Sequence, residues 1–329
     1  MPDSPPVHGG RLLEAAHHYG IRPGDWLDLS TGLNPHGYRP PPVPASVWAR
    51  LPEHDDGLID AARAYYGCTS LLPVPGTQAA IQILPRLRPP GRVAVLAPMY
   101  AEHAHAWRRA GHAVTELPAA ALTKATDFDV LVLANPNNPT GERFAPATLL
   151  ALHERLSPSG WLVVDEAFVD AVPQDSLAGH DARAGLIVLR SLGKFFGLAG
   201  ARVGFVLAAN DRLTAIADAL GPWPLAGPAR HVAKAALIDH GWQQRMRIAL
   251  PARSARLQAL LASHRLLSSG GCALFQWVCT PGAAALHRAL AQRGILTRLF
   301  AQPASLRFGL PGDEPDWRRL DKALADCQP

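Results

Sequence analysis

The sequence has no long hydrophobic run and no paired cysteines, and each absence excludes a class of protein. Within its 329 residues, no apolar stretch reaches the roughly 18 to 20 residues that a membrane span requires. The start of the chain is polar and proline-rich, not basic and then apolar. We therefore expect a cytoplasmic protein with no signal peptide and no membrane association. The four cysteines form no C-x-x-C pair, which favours reduced thiols.

Metal and nucleic-acid sites are not predicted either. The sequence contains 14 histidines, but H-E-x-x-H is absent, and His103, His105 and His112 lie on a predicted alanine-rich helix and its exit. The net charge is +5, yet arginines are scattered along predicted helices and form no basic stripe of the kind that binds nucleic acid. Solvated helix faces explain them most simply, and a few arginines that bind an anionic small substrate are the alternative.

Alternating apolar strands and helices dominate the middle of the chain. Continuous apolar runs of this kind are typical of a parallel sheet that is covered on both faces. Strands are predicted at 92–97, 113–117, 130–134, 161–164 and 186–189, and helices between them at 79–87, 102–110 and 146–156. The sequence therefore predicts an α/β fold.

Changes in composition divide the chain into three parts. Residues 1–45 form a proline-rich arm that we expect to join a small domain, and residues 46–220 form a large domain. Residues 221–329 read as a smaller α+β domain that opens with the link Gly221-Pro222-Trp223-Pro224. The further elements predicted in the first and third parts are a helix at 11–19, a long helical region at 229–262, and strands at 275–279, 296–299 and 306–310.

Two polar clusters lie next to predicted helices and strands. Parallel sheets bind ligands at the carboxyl ends of their strands, which is where these clusters are expected. Gly76-Thr77-Gln78 precedes the helix at 79–87, and it could present free N–H groups to an anion or could only cap the helix. The run from Asn135 to Gly141, N-P-N-N-P-T-G, follows the strand at 130–134. It could be only a loop, but its two prolines would also hold an asparagine amide in place as a donor.

Two further clusters carry charge. Asp165-Glu166-Ala167-Phe168 follows an apolar strand, and a carboxylate buried there needs a partner such as a protonated pyridine nitrogen, an arginine or a metal. Ser191-Leu192-Gly193-Lys194 ends another strand. A Walker-type phosphate loop is excluded, because Val188 stands where glycine is required and Phe195 follows the lysine.

Together these clusters match the groups of pyridoxal 5′-phosphate (PLP). PLP needs a lysine for its Schiff base, N–H and hydroxyl donors with an arginine for its phosphate, and a carboxylate at its ring nitrogen. Lys194, Arg202 and Asp165 supply the charged groups. Lys194 must lose its proton to act, and burial together with the nearby Arg202 would lower its pKa from the usual value of about 10.4.

The motifs N-P-N-N-P-T-G, D-E-A-F and S-L-G-K-F…G-A-R-V-G-F stand in an order that resembles the fold-type I, class I/II aminotransferases over nearly the whole chain. The resemblance implies a large domain with a mostly parallel sheet, a smaller α+β C-terminal domain, bound PLP and a homodimer. It implies a catalytic Schiff-base role for Lys194. The other implied contacts are Asp165 at the pyridine nitrogen, Asn138 at the phenolate oxygen, Tyr100 stacked on the ring, Gly76, Thr77, Gln78, Ser191 and Arg202 around the phosphate, and Arg307 at the substrate α-carboxylate.

Within the family, the chain is most similar to members that decarboxylate O-phospho-L-threonine in cobalamin biosynthesis, and next to those that transaminate histidinol phosphate. The features that carry this resemblance are His8-Gly9-Gly10, the segment 29–35, Phe168 where most aminotransferases have tyrosine, Pro222-Trp223-Pro224 and Arg298. It implies that five residues bind the substrate, namely His8, Gly9, Asn34, Arg298 and Arg307. Of these, His8, Asn34 and Arg298 would bind its phosphate, with help from Arg307. Each of three residues has an alternative interpretation. His8 could belong to a frayed terminus, Asn34 to an ordinary Asn-Pro turn, and Arg298 could be a surface arginine.

One position departs from the family pattern. Family members commonly have a Tyr-Pro-Asp segment whose tyrosine reaches the partner subunit's PLP phosphate. This chain has Arg50-Leu51-Pro52-Glu53 there, and Leu51 cannot donate that hydrogen bond.

Overall fold

The computed structural model describes residues 8–327. The strands are β1 (Leu27–Asp28), β2 (Leu71–Val74), β3 (Arg92–Leu96), β4 (Ala113–Leu117), β5 (Val130–Ala134), β6 (Trp161–Asp165), β7 (Leu186–Ser191), β8 (Gly204–Ala208), β9 (Gly270–Cys272), β10 (Phe275–Cys279), β11 (Ile295–Leu296), β12 (Arg298–Phe300) and β13 (Ser305–Gly309). The α-helices are α1 (Leu12–Tyr19), α2 (Ala45–Ala49), α3 (Leu58–Tyr66), α4 (Thr77–Ile83), α5 (Glu102–Arg109), α6 (Ala119–Leu122), α7 (Pro146–Glu154), α8 (Asn210–Leu220), α9 (Gly227–Ile238), α10 (His240–Ser263), α11 (Ala283–Ala291) and α12 (Glu314–Asp326). No helix in this range is long and apolar enough to cross a membrane.

A seven-stranded sheet forms the centre of the larger part of the molecule, in the order β2-β8-β7-β6-β5-β3-β4. Strands β3 to β7 pair in parallel, whereas β8 is antiparallel to both of its neighbours. Alternate residues of β5 enter two different core clusters, with Leu131 and Leu133 in one and Val130 and Val132 in the other. Both faces of the sheet are therefore buried, as its continuous apolar runs predict.

The C-terminal part contains a four-stranded antiparallel sheet in the order β12-β13-β10-β9. The N-terminal segment reaches it through β1, which pairs in parallel with β11. A further bond runs from the Gly309 N–H to the Leu29 carbonyl at 2.8 Å. These contacts fix the N-terminal segment against the C-terminal part, while the domain boundaries after residues 45 and 220 stay predictions.

The predicted elements differ from the structure mainly where local pattern is weak. The long helical region expected at 229–262 consists of two helices, α9 and α10. They are separate because Asp239 leaves helical geometry and its side chain accepts a hydrogen bond from the Trp242 N–H at the start of α10. The strand expected at 296–299 is two short strands, β11 and β12, that belong to different sheets. Strands β2 and β8 were not predicted. Both have only four or five residues. Strand β2 pairs with β8, which is far away in sequence, and β8 also pairs with β7, the strand before it.

Candidate active site

A cavity of about 580 Å³ lies where the seven-stranded sheet, the N-terminal segment and the four-stranded sheet meet. It collects side chains from the ends of β6 and β7 and from the loops that follow β3 and β5, the usual ligand position in a parallel α/β sheet. All of the predicted site residues except Asn34 line it. They are His8, Gly9, Gly76, Thr77, Gln78, Tyr100, Asn138, Asp165, Ser191, Lys194, Arg202, Arg298 and Arg307.

Lys194 follows β7 and lies inside this cavity. Burial lowers the pKa of its amine from 10.5 to about 8, with a further contribution in the same direction from Arg307 and then Arg202, against the opposing charge of Asp165. The ring of Phe168 lies 5.4 Å from Nζ. A lysine with this pKa has a substantial neutral fraction near pH 8, which is the form that attacks a carbonyl carbon.

Asp165 ends β6 and has a partner that the sequence interpretation missed. Its Oδ2 lies 3.0 Å from Nε2 of His103, whose side chain is buried, and its Oδ1 accepts a hydrogen bond from the Ala167 N–H at 3.0 Å. His103 lies on α5, three residues after Tyr100, and the centroids of the two rings lie 6.2 Å apart. That spacing was the available signal. Asp165 is thus a buried carboxylate that these two contacts fix in position at the wall of the cavity.

Glu166, the neighbour of Asp165, has a different environment. It is fully buried, and its carboxylate accepts a hydrogen bond from Arg190 Nη1 at 3.0 Å. Arg190 also donates from Nη2 to Asp170 Oδ1 at 2.5 Å. The arginine partner considered for this acidic cluster therefore belongs to Glu166, while Asp165 remains available to a ligand.

The turn before α4 forms a cradle of donors. The helix begins at Thr77 after Gly76, whose φ is 73°, so Thr77 is not the residue that caps the helix. A methyl group added at Gly76 would lie 2.7 Å from Arg202 Nη2, which shows how closely the guanidinium packs on this turn. Ser191 Oγ accepts a hydrogen bond from the Gly193 N–H at 3.1 Å, so its hydroxyl proton stays available to an anion.

Arg307 lies on β13 and connects the two sheets. It donates from Nη1 to Asn138 Oδ1 and, at 2.8 Å, from Nη2 to the Ser30 carbonyl. Its buried Nε has no hydrogen-bond partner among the described residues. Burial, together with the nearby Arg298, lowers the pKa of Arg307 to about 10. Two adjacent guanidinium groups in a cavity favour an anionic ligand.

Asn34 corrects the predicted set of substrate contacts. Its side chain is buried, its Nδ2 donates to the Phe195 carbonyl at 2.9 Å, and its Oδ1 accepts from the His36 N–H at 2.9 Å. It does not line the cavity. Its amide stabilises the chain around Lys194, so we leave Asn34 out of the proposed substrate site.

The N-terminal segment contributes His8 to the cavity, with its ring centroid 5.5 Å from that of Tyr100. The four-stranded sheet contributes Arg298 to the same lining. Within residues 8–327, no group of three or more histidine, cysteine or acidic side chains is arranged to hold a metal ion. His8 and Arg298 add hydrogen-bond donors for an anionic ligand to the cavity.

Comparison with known proteins assigns the class that this fold and site define. The family described as Aminotransferase class I and II matches residues 51–324, and the chain belongs to that family. It is 58% identical over 319 residues to a threonine-phosphate decarboxylase of Pseudomonas aeruginosa, with 96% of each chain covered. It is 47% identical over 331 residues to a threonine-phosphate decarboxylase of Sinorhizobium sp, with 98% of each covered.

A solved structure supports the fold. The histidinol-phosphate aminotransferase of Sinorhizobium meliloti, in complex with pyridoxal-5′-phosphate, has a TM-score of 0.81 and 20% sequence identity, over 99% of this chain and 95% of that one. The predicted fold, a mostly parallel α/β sheet with a smaller α+β part, is confirmed.

Proposed function

We propose that the chain is a PLP-dependent decarboxylase that converts O-phospho-L-threonine to (R)-1-amino-2-propanol O-2-phosphate and CO₂ in cobalamin biosynthesis. Two threonine-phosphate decarboxylases match almost the full chain at 58% and 47% identity. The observation that carries the proposal is the composition of the cavity. The cavity contains a lysine of lowered pKa together with the cations Arg298 and Arg307 and with His8. A site for a covalently bound cofactor and a site for a substrate with two anionic groups would therefore share one cavity.

The donors in the cavity fit PLP group by group. Lys194 would hold it covalently, Asp165 would lie at the ring nitrogen and Asn138 at the phenolate oxygen, while Tyr100 would stack on the ring. The phosphate would be bound by the turn before α4 together with Ser191 and Arg202. The Arg307 contact to Asn138 Oδ1 directs the amide N–H₂ of Asn138 away from the arginine, so it can donate to an oxygen of the cofactor.

When bound, PLP supplies an electron sink for the pair that is released as CO₂ leaves the substrate. The residues of the chain decide which bond at Cα is cleaved. His8 and Arg298 would bind the substrate phosphate, and Arg307 would bind the α-carboxylate. This anchoring would set the orientation of the substrate about its Cα–N bond, and with it whether the Cα–COO⁻ or the Cα–H bond is cleaved. Lys194 would then return a proton to Cα after CO₂ has left.

We further propose that the enzyme is a cytoplasmic homodimer. Several large apolar side chains are exposed in the single chain, among them Trp48 at 69%, Leu51 at 63% and Trp223 at 56%. A partner subunit that covered these groups would remove their apolar area from water. Sedimentation velocity would report one species with twice the mass of the chain, and a monomer at micromolar concentration would contradict the dimer.

The decisive experiment incubates the PLP-loaded protein with O-phospho-L-threonine in the absence of any keto acid. Multiple turnovers of CO₂ and aminopropanol phosphate are expected, and Lys194→Ala should abolish them. Transfer of an amino group from histidinol phosphate to 2-oxoglutarate, without CO₂ release, would instead make the protein an aminotransferase.

A further inference from the structure

A buried carboxylate outside the predicted site connects three parts of the cavity wall. Glu102 lies in the first turn of α5 and is 8% exposed. Its Oε1 lies 2.7 Å from His8 Nε2, and its Oε2 accepts hydrogen bonds from Gln78 Nε2 at 2.7 Å and from Gln82 Nε2 at 3.1 Å. Both carboxylate oxygens are therefore engaged, and each binds a different segment of the chain.

The segments that Glu102 joins are those that would hold the cofactor and the substrate. His8 and Gln78 both line the cavity. The Tyr100 hydroxyl donates to Gln78 Oε1 at 3.1 Å, and the His8 ring packs on Tyr100 at 5.5 Å. Glu102 thus fixes the N-terminal segment to the two residues that the cofactor would touch.

The charge of Glu102 needs a partner. Within the described range, no lysine or arginine nitrogen lies within 4.0 Å of its carboxylate, and His8 is the ionisable group found there. A buried carboxylate is costly unless it is paired and hydrogen-bonded. The contact to His8 is therefore strong, and it holds a side chain that is itself 37% exposed.

The contact also decides which ring atom of His8 can meet a ligand. Because Nε2 is committed to Glu102, Nδ1 is the remaining polar atom, and it has no hydrogen-bond partner among residues 8–327. A carboxylate on one ring nitrogen sets the proton arrangement and orientation of an imidazole. A doubly protonated ring would donate to Glu102 from Nε2 and to a phosphate oxygen from Nδ1.

We infer that Glu102 is a positioning residue that sets the preference for a phosphorylated substrate, because it holds the His8 imidazole at the cavity with Nδ1 left for a phosphate oxygen. The inference rests on the proposed function only for the identity of the substrate. Glu102 and His8 would then contribute to phosphate binding only as a pair, so that replacing either residue removes the contribution of both.

The test compares Glu102→Gln, His8→Gln and the double variant as PLP-loaded enzymes. Each single variant should raise KM for O-phospho-L-threonine by about 10- to 100-fold, the scale of one lost charged hydrogen bond, with kcat changed by less than about threefold. The KM of the double variant should not exceed that of the single variant with the higher KM, because the two residues act together. Glu154→Gln, at the end of α7, removes an exposed ion pair with Arg183 and is the matched control with unchanged KM.

Binding separates positioning from general damage. In the Lys194→Ala background with PLP present, calorimetry should show that Glu102→Gln weakens binding of O-phospho-L-threonine by the same factor and leaves binding of L-threonine unchanged. Equal loss for both ligands, an unchanged KM, or effects of the two single variants that multiply would overturn the inference. Because His8 is partly exposed, His8→Gln tests the same contact even if Glu102→Gln fails to fold. A wild type that binds the phosphate ester without releasing CO₂ would contradict the proposed function and leave the inference testable by binding.

Discussion

At the scale of single residues, the surroundings of Lys194 control when its amine can react. Burial is the largest cause of its lowered pKa, and the two cations Arg307 and Arg202 add to it. The ammonium form is disfavoured because it would be poorly solvated and repelled. Asp165 opposes the shift, so the lysine responds to the balance of charges that the sheet ends bring together.

This balance predicts the pH dependence of Lys194 in protein freed of PLP. Below about pH 8 the amine is protonated and unreactive, and above it the neutral amine reacts, whereas an ordinary lysine needs a pH near 10.5. Labelling with an amine reagent, mapped to Lys194 by mass spectrometry, should rise with a midpoint near pH 8. Arg307→Met removes the cation that lowers the pKa of Lys194 the most and should move the midpoint upward.

The other three lysines serve as internal references in the same digest. Arg256→Met, at an exposed pair with Glu314, is the control that should leave the midpoint in place. A Lys194 midpoint near pH 10.5, or one that Arg307→Met does not move, would show that burial and charge do not act on this amine as described.

At the scale of elements, strand β8 supports the cradle formed by the turn before α4. It runs antiparallel between β2 and β7, and it begins at Gly204. A methyl group added there would lie 2.8 Å from the Thr77 nitrogen and 3.0 Å from the Arg190 carbonyl oxygen. The cradle can lie this close to the strand only because the residue has no side chain.

Gly204→Ala should therefore disturb the turn before α4. Overpacking of this kind costs about 1 to 3 kcal/mol, and we expect PLP to bind about tenfold more weakly, since the displaced N–H groups would belong to its proposed phosphate site. PLP titration and denaturant unfolding measure the two effects. Gly200→Ala is the matched control, because an added methyl group there meets no atom within 4 Å; equal behaviour of the two variants would refute the argument.

The ends of β6 and β7 are held together by buried charges. Arg190 on β7 pairs with Glu166 just after β6 and with Asp170, and all three side chains are no more than 3% exposed. The Arg190 guanidinium also lies 4.4 Å from the centroid of the Tyr66 ring. Removing the cation would leave two buried carboxylates without their counter-charge.

Arg190→Met should lower the free energy of unfolding by about 3 to 5 kcal/mol, the usual cost of breaking a buried pair. Arg183→Met, at the exposed pair with Glu154, should cost at most about 1 kcal/mol. Denaturant unfolding at one fixed protein concentration provides the comparison. Similar losses in both variants would mean that the buried network contributes no more than a surface pair.

At the scale of the whole molecule, the site exists only where separate parts of the chain meet. Lys194 comes from the seven-stranded sheet, Arg298 and Arg307 come from the four-stranded sheet, and His8 comes from the N-terminal segment. A ligand that contacts all of them joins these parts. Ligand binding should therefore stabilise the molecule as a whole.

The expected stabilisation follows from mass action. In Lys194→Ala with PLP present, O-phospho-L-threonine at about 100 times its Kd should raise the free energy of unfolding by about 2.7 kcal/mol. L-Threonine at the same concentration should raise it by less, because it lacks the phosphate that His8 and Arg298 would bind. Equal stabilisation by both ligands would show that the phosphate is not recognised.

By itself, the sequence determined the fold class and thirteen of the residues that line the cavity. Strands such as β4, β5 and β10 have the predicted bounds, because their apolar runs and turns are local. The residues at the strand ends, among them Asp165 and Lys194, meet in one cavity because parallel strands bring their carboxyl ends to one edge of the sheet. Their roles toward cofactor and substrate stay predictions.

Only the tertiary structure decided which polar groups face each other across the chain. Asn34 binds a carbonyl 161 residues away instead of lining the cavity, and Glu102 binds His8 from 94 residues away. His103, interpreted as a residue of an alanine-rich helix, contacts Asp165 at 3.0 Å. Periodicity and turn chemistry report a residue's local backbone, whereas the partner of a buried polar side chain depends on packing between distant segments, and no local pattern contains that information.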